Sequence, residues 1–250
     1  MIGKIKKSLR AFFEVRLNRN NTSSNYDKII EDEFADIYEK CKDYTLTSKE
    51  RMYALFKAVE YTVNAKIEGD FVECGVWKGG SAMVIAYTLL KMKETHRKIY
   101  LYDTFEGMSK PSNEDVRLYD REPAITKWEK EKRDGYNEWT FAPLNDVKKN
   151  LASSGYPEKN LVFVKGKVEE SIPKNTPSRI ALLRLDTDWY ESTHHELVHL
   201  FPLSTKHGTL IIDDYGHWAG SKKAVDEYFT QNKPILLNRV DYTGRVGIKV

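Results

Sequence analysis

Two short acidic runs carry the plainest chemistry in the sequence. Asp186-Thr187-Asp188 follows the apolar stretch Ile180–Leu185, and Asp213-Asp214 follows Thr209–Ile212. Each run ends what reads as a buried strand, so surface solvation is a poor account of them. Four carboxylates gathered in one crevice repel one another unless a cation neutralises them. An all-oxygen donor set suits a hard ion such as Mg²⁺, which keeps waters and takes only a few protein carboxylates. The structural alternative is that these aspartates cap helices and pair with Arg184 or Lys222.

A second constellation runs Glu73-Cys74-Gly75-Val76-Trp77-Lys78-Gly79-Gly80-Ser81, between an expected strand and an expected helix. Glycines there let the backbone approach a ligand, and a helix start offers free N–H donors. The run is not GxGxxG, which disfavours a nicotinamide dehydrogenase. Glu73 would repel a phosphate but suits a cationic or amino-bearing ligand; a tight structural turn is the alternative. Asp103 ends the next strand, where a carboxylate can accept from both hydroxyls of a ribose. Taken alone it could equally be a cap or turn former.

Other candidates say less. His195 and His199 stand four apart on an expected helix, but no HExxH sequence accompanies them, so a polar helix face is preferred to a zinc site. His217 follows the aspartate pair by three residues and is expected near the same crevice. Cys74 reads as a packed small hydrophobe. Neither a GxSxG elbow nor a Walker A sequence occurs, which weakens hydrolase and P-loop readings.

The elements that must position these residues follow from periodicity. Strands are expected at Phe71–Cys74, Ile99–Asp103, Leu161–Val164, Ile180–Leu185 and Thr209–Ile212, alternating with helices at Ser81–Met92, Glu191–Leu200 and Lys222–Gln231. Asn145 or Asp146 is expected to cap a further helix, and the tail from Ile235 to form a hairpin turning near Thr243-Gly244. Such alternation implies an α/β fold, a mainly parallel sheet covered by helices on both faces. In open α/β sheets ligands sit outside the carboxyl ends of the strands. Glu73, Gly75, Asp103, Asp186, Asp188, Asp213 and Asp214 therefore converge on one crevice.

Upstream, Thr47 and Glu50 fit a capping box before a helix with Met52, Leu55, Phe56, Val59 and Val63 on one face. A short surface helix is expected near Glu31–Lys40. Ile2, Ile5, Leu9, Phe12, Phe13 and Leu17 fall near helical spacing among Lys and Arg. That helix would pack on the body or on a second subunit, or touch an anionic membrane. The expected division is a helical extension over residues 1–68 and one domain over 69–250.

Composition narrows the classes. The 250 residues are 40% hydrophobic and 31% charged, enough core material to exclude a largely disordered chain. A net charge of +3 does not argue for a nucleic-acid binder. No stretch approaches a membrane span and no secretory signal is expected. Two cysteines, Cys41 and Cys74, fit a reducing compartment, so a cytoplasmic setting is expected.

Five ordered blocks, DFVECGVWKGGS, YDTFEGM, FVKGKVEESIP, LLRLDTDWYEST and LIIDDYGHWAGSKKAVDEYF, span Asp70–Phe229. Together they resemble the macrocin O-methyltransferase family, which includes sugar O-methyltransferases of macrolide and aminocoumarin pathways. The resemblance implies a class I methyltransferase (Rossmann-like) fold, a seven-stranded sheet with one antiparallel strand, using S-adenosylmethionine and Mg²⁺. By it, Glu73, Gly75 and Ser81 line the methionine and ribose end of the cofactor, Asp103 holds the ribose diol, and Gly166, Val168 and Glu169 lie by the adenine. Asp186, beside the cofactor, joins Asp213 and Asp214 as metal ligands, and Asp188 matches the general base. Residues 106–139 match a variable region that helps to cover the substrate. The implied activity is methylation of a sugar hydroxyl on a glycoside, nucleotide sugar or polysaccharide precursor, by a homo-oligomer. Trp189, Tyr190 and Trp218 could stack on the sugar, or simply pack. The rivals are a catechol-like diol as acceptor and a non-catalytic subunit that kept the fold.

Overall fold

The computed structural model describes residues 31–250; the basic helix expected over Ile2 to Leu17 lies outside them. In chain order the helices and strands are α1 (Asp32–Cys41), α2 (Lys49–Asn64), β1 (Asp70–Cys74), α3 (Gly80–Lys91), β2 (Ile99–Asp103), α4 (Ala124–Glu131), α5 (Leu144–Ala152), β3 (Leu161–Lys165), α6 (Val168–Ser171), β4 (Ile180–Leu185), α7 (Tyr190–His199), β5 (Ser204–Ile212), α8 (Ala219–Gln231), β6 (Leu237–Arg239) and β7 (Arg245–Ile248). Among the described residues no helix is long and apolar enough to cross a membrane.

The strands form one seven-stranded sheet in the order β3-β2-β1-β4-β5-β7-β6. All neighbours are parallel except those of β7, which runs antiparallel to both β5 and β6. The central strands are buried on both faces, and alternate residues feed two cores. Phe71, Ile99, Leu101, Leu182 and Ile211 face α1, α2, α3 and α5. Val72, Cys74, Tyr102, Leu183, Leu185, Leu210 and Ile212 face the side chains of α7 and α8. The described part of the expected N-terminal extension joins the first core, with Phe34, Met52 and Phe56 wholly enclosed. Each such side chain contributes roughly 1.5–3 kcal/mol by leaving water.

Two local boundaries differ from expectation. The N-cap of α2 is Ser48, whose Oγ accepts from the Arg51 amide at 3.2 Å; Thr47 Oγ1 instead accepts from Arg184 at 3.0 Å. A strand-borne cation thus claims the hydroxyl that would otherwise cap, and the cap moves one residue on. Helix α5 starts at Leu144 after Pro143, ahead of Asn145 and Asp146 and with no side-chain cap, since proline presets the φ of a helix start. Helix α1 is amphipathic: Phe34, Ile37 and Cys41 are buried against the body.

One buried carboxyl gives the fold a pH signature. Glu196 on α7 is fully enclosed; its Oε1 accepts from Thr187 Oγ1 at 2.9 Å, while Oε2 has no hydrogen-bond partner. Burial pushes its pKa well above the ordinary range. A carboxyl with a raised folded-state pKa contributes full stability below its unfolded value and loses it as pH rises towards the folded one. Glu196→Gln is therefore expected to match the parent near pH 4 and to exceed it by about 1–3 kcal/mol at pH 8. Urea denaturation across that range measures the difference; a gap that shrinks with rising pH would refute it.

Candidate active site

The strand order reverses at β1, which has β2 on one side and β4 on the other. A cavity of about 660 Å³ opens there, at the carboxyl ends of the strands, the position open α/β sheets reserve for ligands. Sheet hydrogen bonding runs one residue past the strands into its wall. Gly75 N donates to Tyr102 O at 2.9 Å, Asp186 N to Cys74 O at 2.8 Å, Asp213 N to Leu185 O at 2.9 Å and Gly166 N to Asp103 O at 3.0 Å. The backbone of each acidic turn is thereby anchored to the sheet. Gly75 has φ +82, and a Cβ on it would lie 1.9 Å from the Asp186 carbonyl oxygen. Only glycine lets the β1 and β4 turns come this close.

Of the residues expected at the site, Gly75, Ser81, Asp103, Gly166, Val168, Glu169, Asp186, Asp188, Asp213 and Asp214 all reach the cavity wall, as does His217. Glu73 does not. It is enclosed beneath the wall, directly in register with Arg184 across the β1–β4 pair, and its Oε1 accepts from Arg184 at 2.6 Å. The cation it faces is therefore one of the chain's own. Burial pushes the Glu73 carboxyl up to about 7 against the pull of Arg184.

Asp103 shapes one end of the cavity. One oxygen accepts from the amides of Val76 at 2.7 Å and Trp77 at 3.1 Å, the other from Phe105 at 2.7 Å. It ties the glycine turn after β1 to the turn after β2, while desolvation raises its pKa despite these donors. Trp77 and Phe105 adopt left-handed backbones, at φ +46 and +52, a conformation non-glycine residues take at some cost. At Gly166, φ +134, a Cβ would meet nothing within 4 Å, so bare backbone faces open cavity there.

At the other end lie the carboxylates. Ligand oxygens of Asp186, Asp213 and Asp214 fall within 4.8 Å of one another, the only such cluster among the described residues. Asp188, at φ +68, lies beside Asp214 and Trp218, both of which favour its charged form. Burial, then the Asp186 charge, pushes Asp188 up to about 7; burial and neighbouring carboxylates raise Asp186 and Asp214 well above the usual range. Two arginines partly offset this charge. Arg184 donates to Asp213 Oδ1 at 2.7 Å and pairs with Asp186 at 2.8 Å, and Arg51 bonds Asp213 Oδ2. Four carboxylates against two guanidiniums leave an excess of negative charge, and the donors are all oxygen. The residues present therefore fit a hard divalent cation.

Several contributors escaped the sequence reading. Arg184 had a signal, since a cation inside the apolar run IALLRL must be paired when buried. Arg51 had none, being 162 residues from Asp213. Asp115, almost fully buried, accepts from Tyr190 N at 2.8 Å and from Ser112 N at 2.7 Å. It so caps α7 from 75 residues away and pins residues 106–139 beside Asp188. Among the aromatic residues that line the cavity are Trp139 and Trp218. Trp189 packs behind them, 5.5 and 5.0 Å from those rings, with Nε1 donating to Ser109 O. The Tyr190 hydroxyl turns to Glu227.

A seven-stranded sheet of this order, with one antiparallel strand and a ligand cavity at its switch point, defines a class I methyltransferase. The solved O-methyltransferase NovP shares it, with a TM-score of 0.71 and 25% identity over 82% of both chains. The chain belongs to the macrocin O-methyltransferase (TylF) family, whose model matches residues 5–246, and is an S-adenosylmethionine-dependent O-methyltransferase. It is 32% identical over 185 residues to the 8-demethyl-8-(2,3-dimethoxy-alpha-L-rhamnosyl)-tetracenomycin-C 4'-O-methyltransferase of Streptomyces olivaceus, covering 74% of this chain and 67% of that one. Mycinamicin III 3''-O-methyltransferase of Micromonospora griseorubida is 31% identical over 188 residues, 74% of this chain and 70% of that one.

Proposed function

We propose that this enzyme methylates a sugar hydroxyl of a glycoside, nucleotide sugar or polysaccharide precursor, using Mg²⁺ held by Asp186, Asp213 and Asp214. The observation that carries the proposal is the position of Asp188, beside Asp214 of that oxygen cluster and on the wall of the cavity that Trp139 and Trp218 also line. The name of the Streptomyces olivaceus relative specifies a rhamnosyl-bearing acceptor, which supports a sugar.

A bound divalent cation supplies Lewis acidity, which makes a nearby hydroxyl easier to deprotonate; the sulfonium of the cofactor supplies the methyl group. The chain's own residues do the rest. The Asp188 carboxylate accepts the hydroxyl proton as the oxygen attacks. Trp218 and the left-handed backbone of Asp188 hold that carboxylate towards the cavity. Asp103, the Gly75 turn and residues 166–169 receive the nucleoside, while Ser81 and the exposed edge of Asp186 border its methionine end. Glu73 acts from beneath, by fixing Arg184. Trp139 and Trp218 offer flat apolar faces to a sugar ring and keep water from the reacting groups. A cytoplasmic setting suits the two free, buried cysteines, and self-association into a homo-oligomer completes the reading; light scattering would measure its mass.

Purified protein supplied with methyl-labelled cofactor, Mg²⁺ and a panel of glycosides and nucleotide sugars is expected to transfer label to a sugar. EDTA should abolish turnover and excess Mg²⁺ restore it. Turnover indifferent to EDTA would remove the metal, and label found only on catechols would remove the sugar.

A further inference from the structure

We infer that Arg51 is a built-in competitor for the cation at Asp213, kept in place by Asp241 of the C-terminal hairpin. The inference rests on the metal reading above. Asp213 is almost fully buried, and both of its oxygens carry a guanidinium: Oδ1 that of Arg184, Oδ2 that of Arg51. The two arginines are not equivalent. Arg184 is enclosed in the sheet, with Glu73, Thr47, Asp186 and Asp213 around it, and has nowhere to go. Arg51 stands on the first turn of α2 and borders the cavity.

Arg51 also has a second acceptor. Its Nε donates to Asp241 Oδ2 at 2.9 Å, in the turn between β6 and β7. Asp241 is itself secured by Ser48 Oγ at 2.7 Å and by the amides of Thr243 at 2.9 Å and Gly244 at 2.7 Å. The hairpin touches the competing partner too, since Thr243 Oγ1 donates to the Asp213 carbonyl at 2.8 Å. It packs closely on the arginine stem: a Cβ on Gly244 would lie 2.7 Å from Arg51 Cδ. The turn thus sets how far Arg51 reaches.

Two cations drawn to one buried carboxylate repel each other strongly where water is excluded. Arg51 therefore lowers metal affinity at Asp213, and metal binding by linkage favours withdrawal of the guanidinium towards Asp241. In the cation-free protein Arg51 adds to Arg184 in offsetting the buried charge of Asp213 and its carboxylate neighbours.

Mn²⁺ is the probe, titrated into the full-length protein without cofactor or acceptor and followed by electron paramagnetic resonance. Arg51→Met is expected to bind Mn²⁺ about tenfold more tightly than the parent. Asp241→Asn, which leaves Asp213 as the carboxylate ion-paired with Arg51, is expected to bind roughly threefold more weakly. A purely architectural Arg51 would give weaker binding in both variants, and equal or weaker binding by Arg51→Met overturns the inference. Should Arg51→Met fail to fold, unchanged or tighter binding by Asp241→Asn overturns it as well. A parent protein that binds no Mn²⁺ ends the metal reading and this inference together; a parent that binds, with variants that do not diverge, ends this inference alone.

Discussion

Asp188→Asn should bind S-adenosylmethionine as the parent does while its turnover falls about 10²–10⁴-fold. The substitution keeps the shape of the side chain and a carbonyl oxygen beside Trp218. What it removes is the capacity to take a proton. A sugar hydroxyl holds its proton tightly at neutral pH, and a bound Mg²⁺ is a weaker Lewis acid than the zinc sites that bring water to a pKa near 7. A positioned carboxylate therefore still matters as the methyl moves. Isothermal titration with the cofactor and steady-state rates on one acceptor measure the two quantities separately. Full turnover in the variant would dismiss Asp188 as base, and loss of cofactor binding would recast it as architecture.

The second large effect concerns stability. Arg184→Met should cost about 3–5 kcal/mol, because removing one partner strands the others in the interior. Glu73 is fully enclosed and Asp213 nearly so, and both take a hydrogen bond from this guanidinium. For a chain of this length the corresponding fall in Tm is roughly 10 °C. Arg184→Lys is not a conservative rescue, since an ammonium cannot reproduce the planar fork that serves acceptors on either side. Adding Glu73→Gln to Arg184→Met should return part of the loss, by about 1–3 kcal/mol of coupling, since it removes the stranded charge. Thermal melts of the single and double variants test this; additive losses would show that Glu73 and Arg184 are not coupled.

The buried strands, the helices between them and the closing hairpin were legible because each is written in local periodicity and turn chemistry. The acidic residues at the ends of β2, β4 and β5 and the glycine turn after β1 were legible for a further reason. In a parallel sheet the ends of all strands on one side meet, so order along the chain implies proximity. The placement of Gly75, Asp103, Asp186, Asp188, Asp213 and Asp214 on one cavity wall follows from that rule.

Partnerships across the layers were not legible. Thr47 matches a capping box yet serves Arg184, because a buried guanidinium outranks one helix-end amide as a donor in need of an acceptor. Glu73 reads as a ligand residue yet lies in register with Arg184, a pairing that depends on β4 lying beside β1. Trp139, not Trp189, faces the cavity because Asp115 and the Trp189–Ser109 bond fold residues 106–139 over the strand ends. By itself, then, the sequence determined the α/β architecture, the side of the sheet that binds, and a set of oxygen donors suited to a hard cation, since all three depend on neighbours along the chain. The tertiary structure decided which carboxylates are exposed to ligand and which are held by Arg51 and Arg184, because such pairings are set by burial and by contacts between residues far apart in sequence.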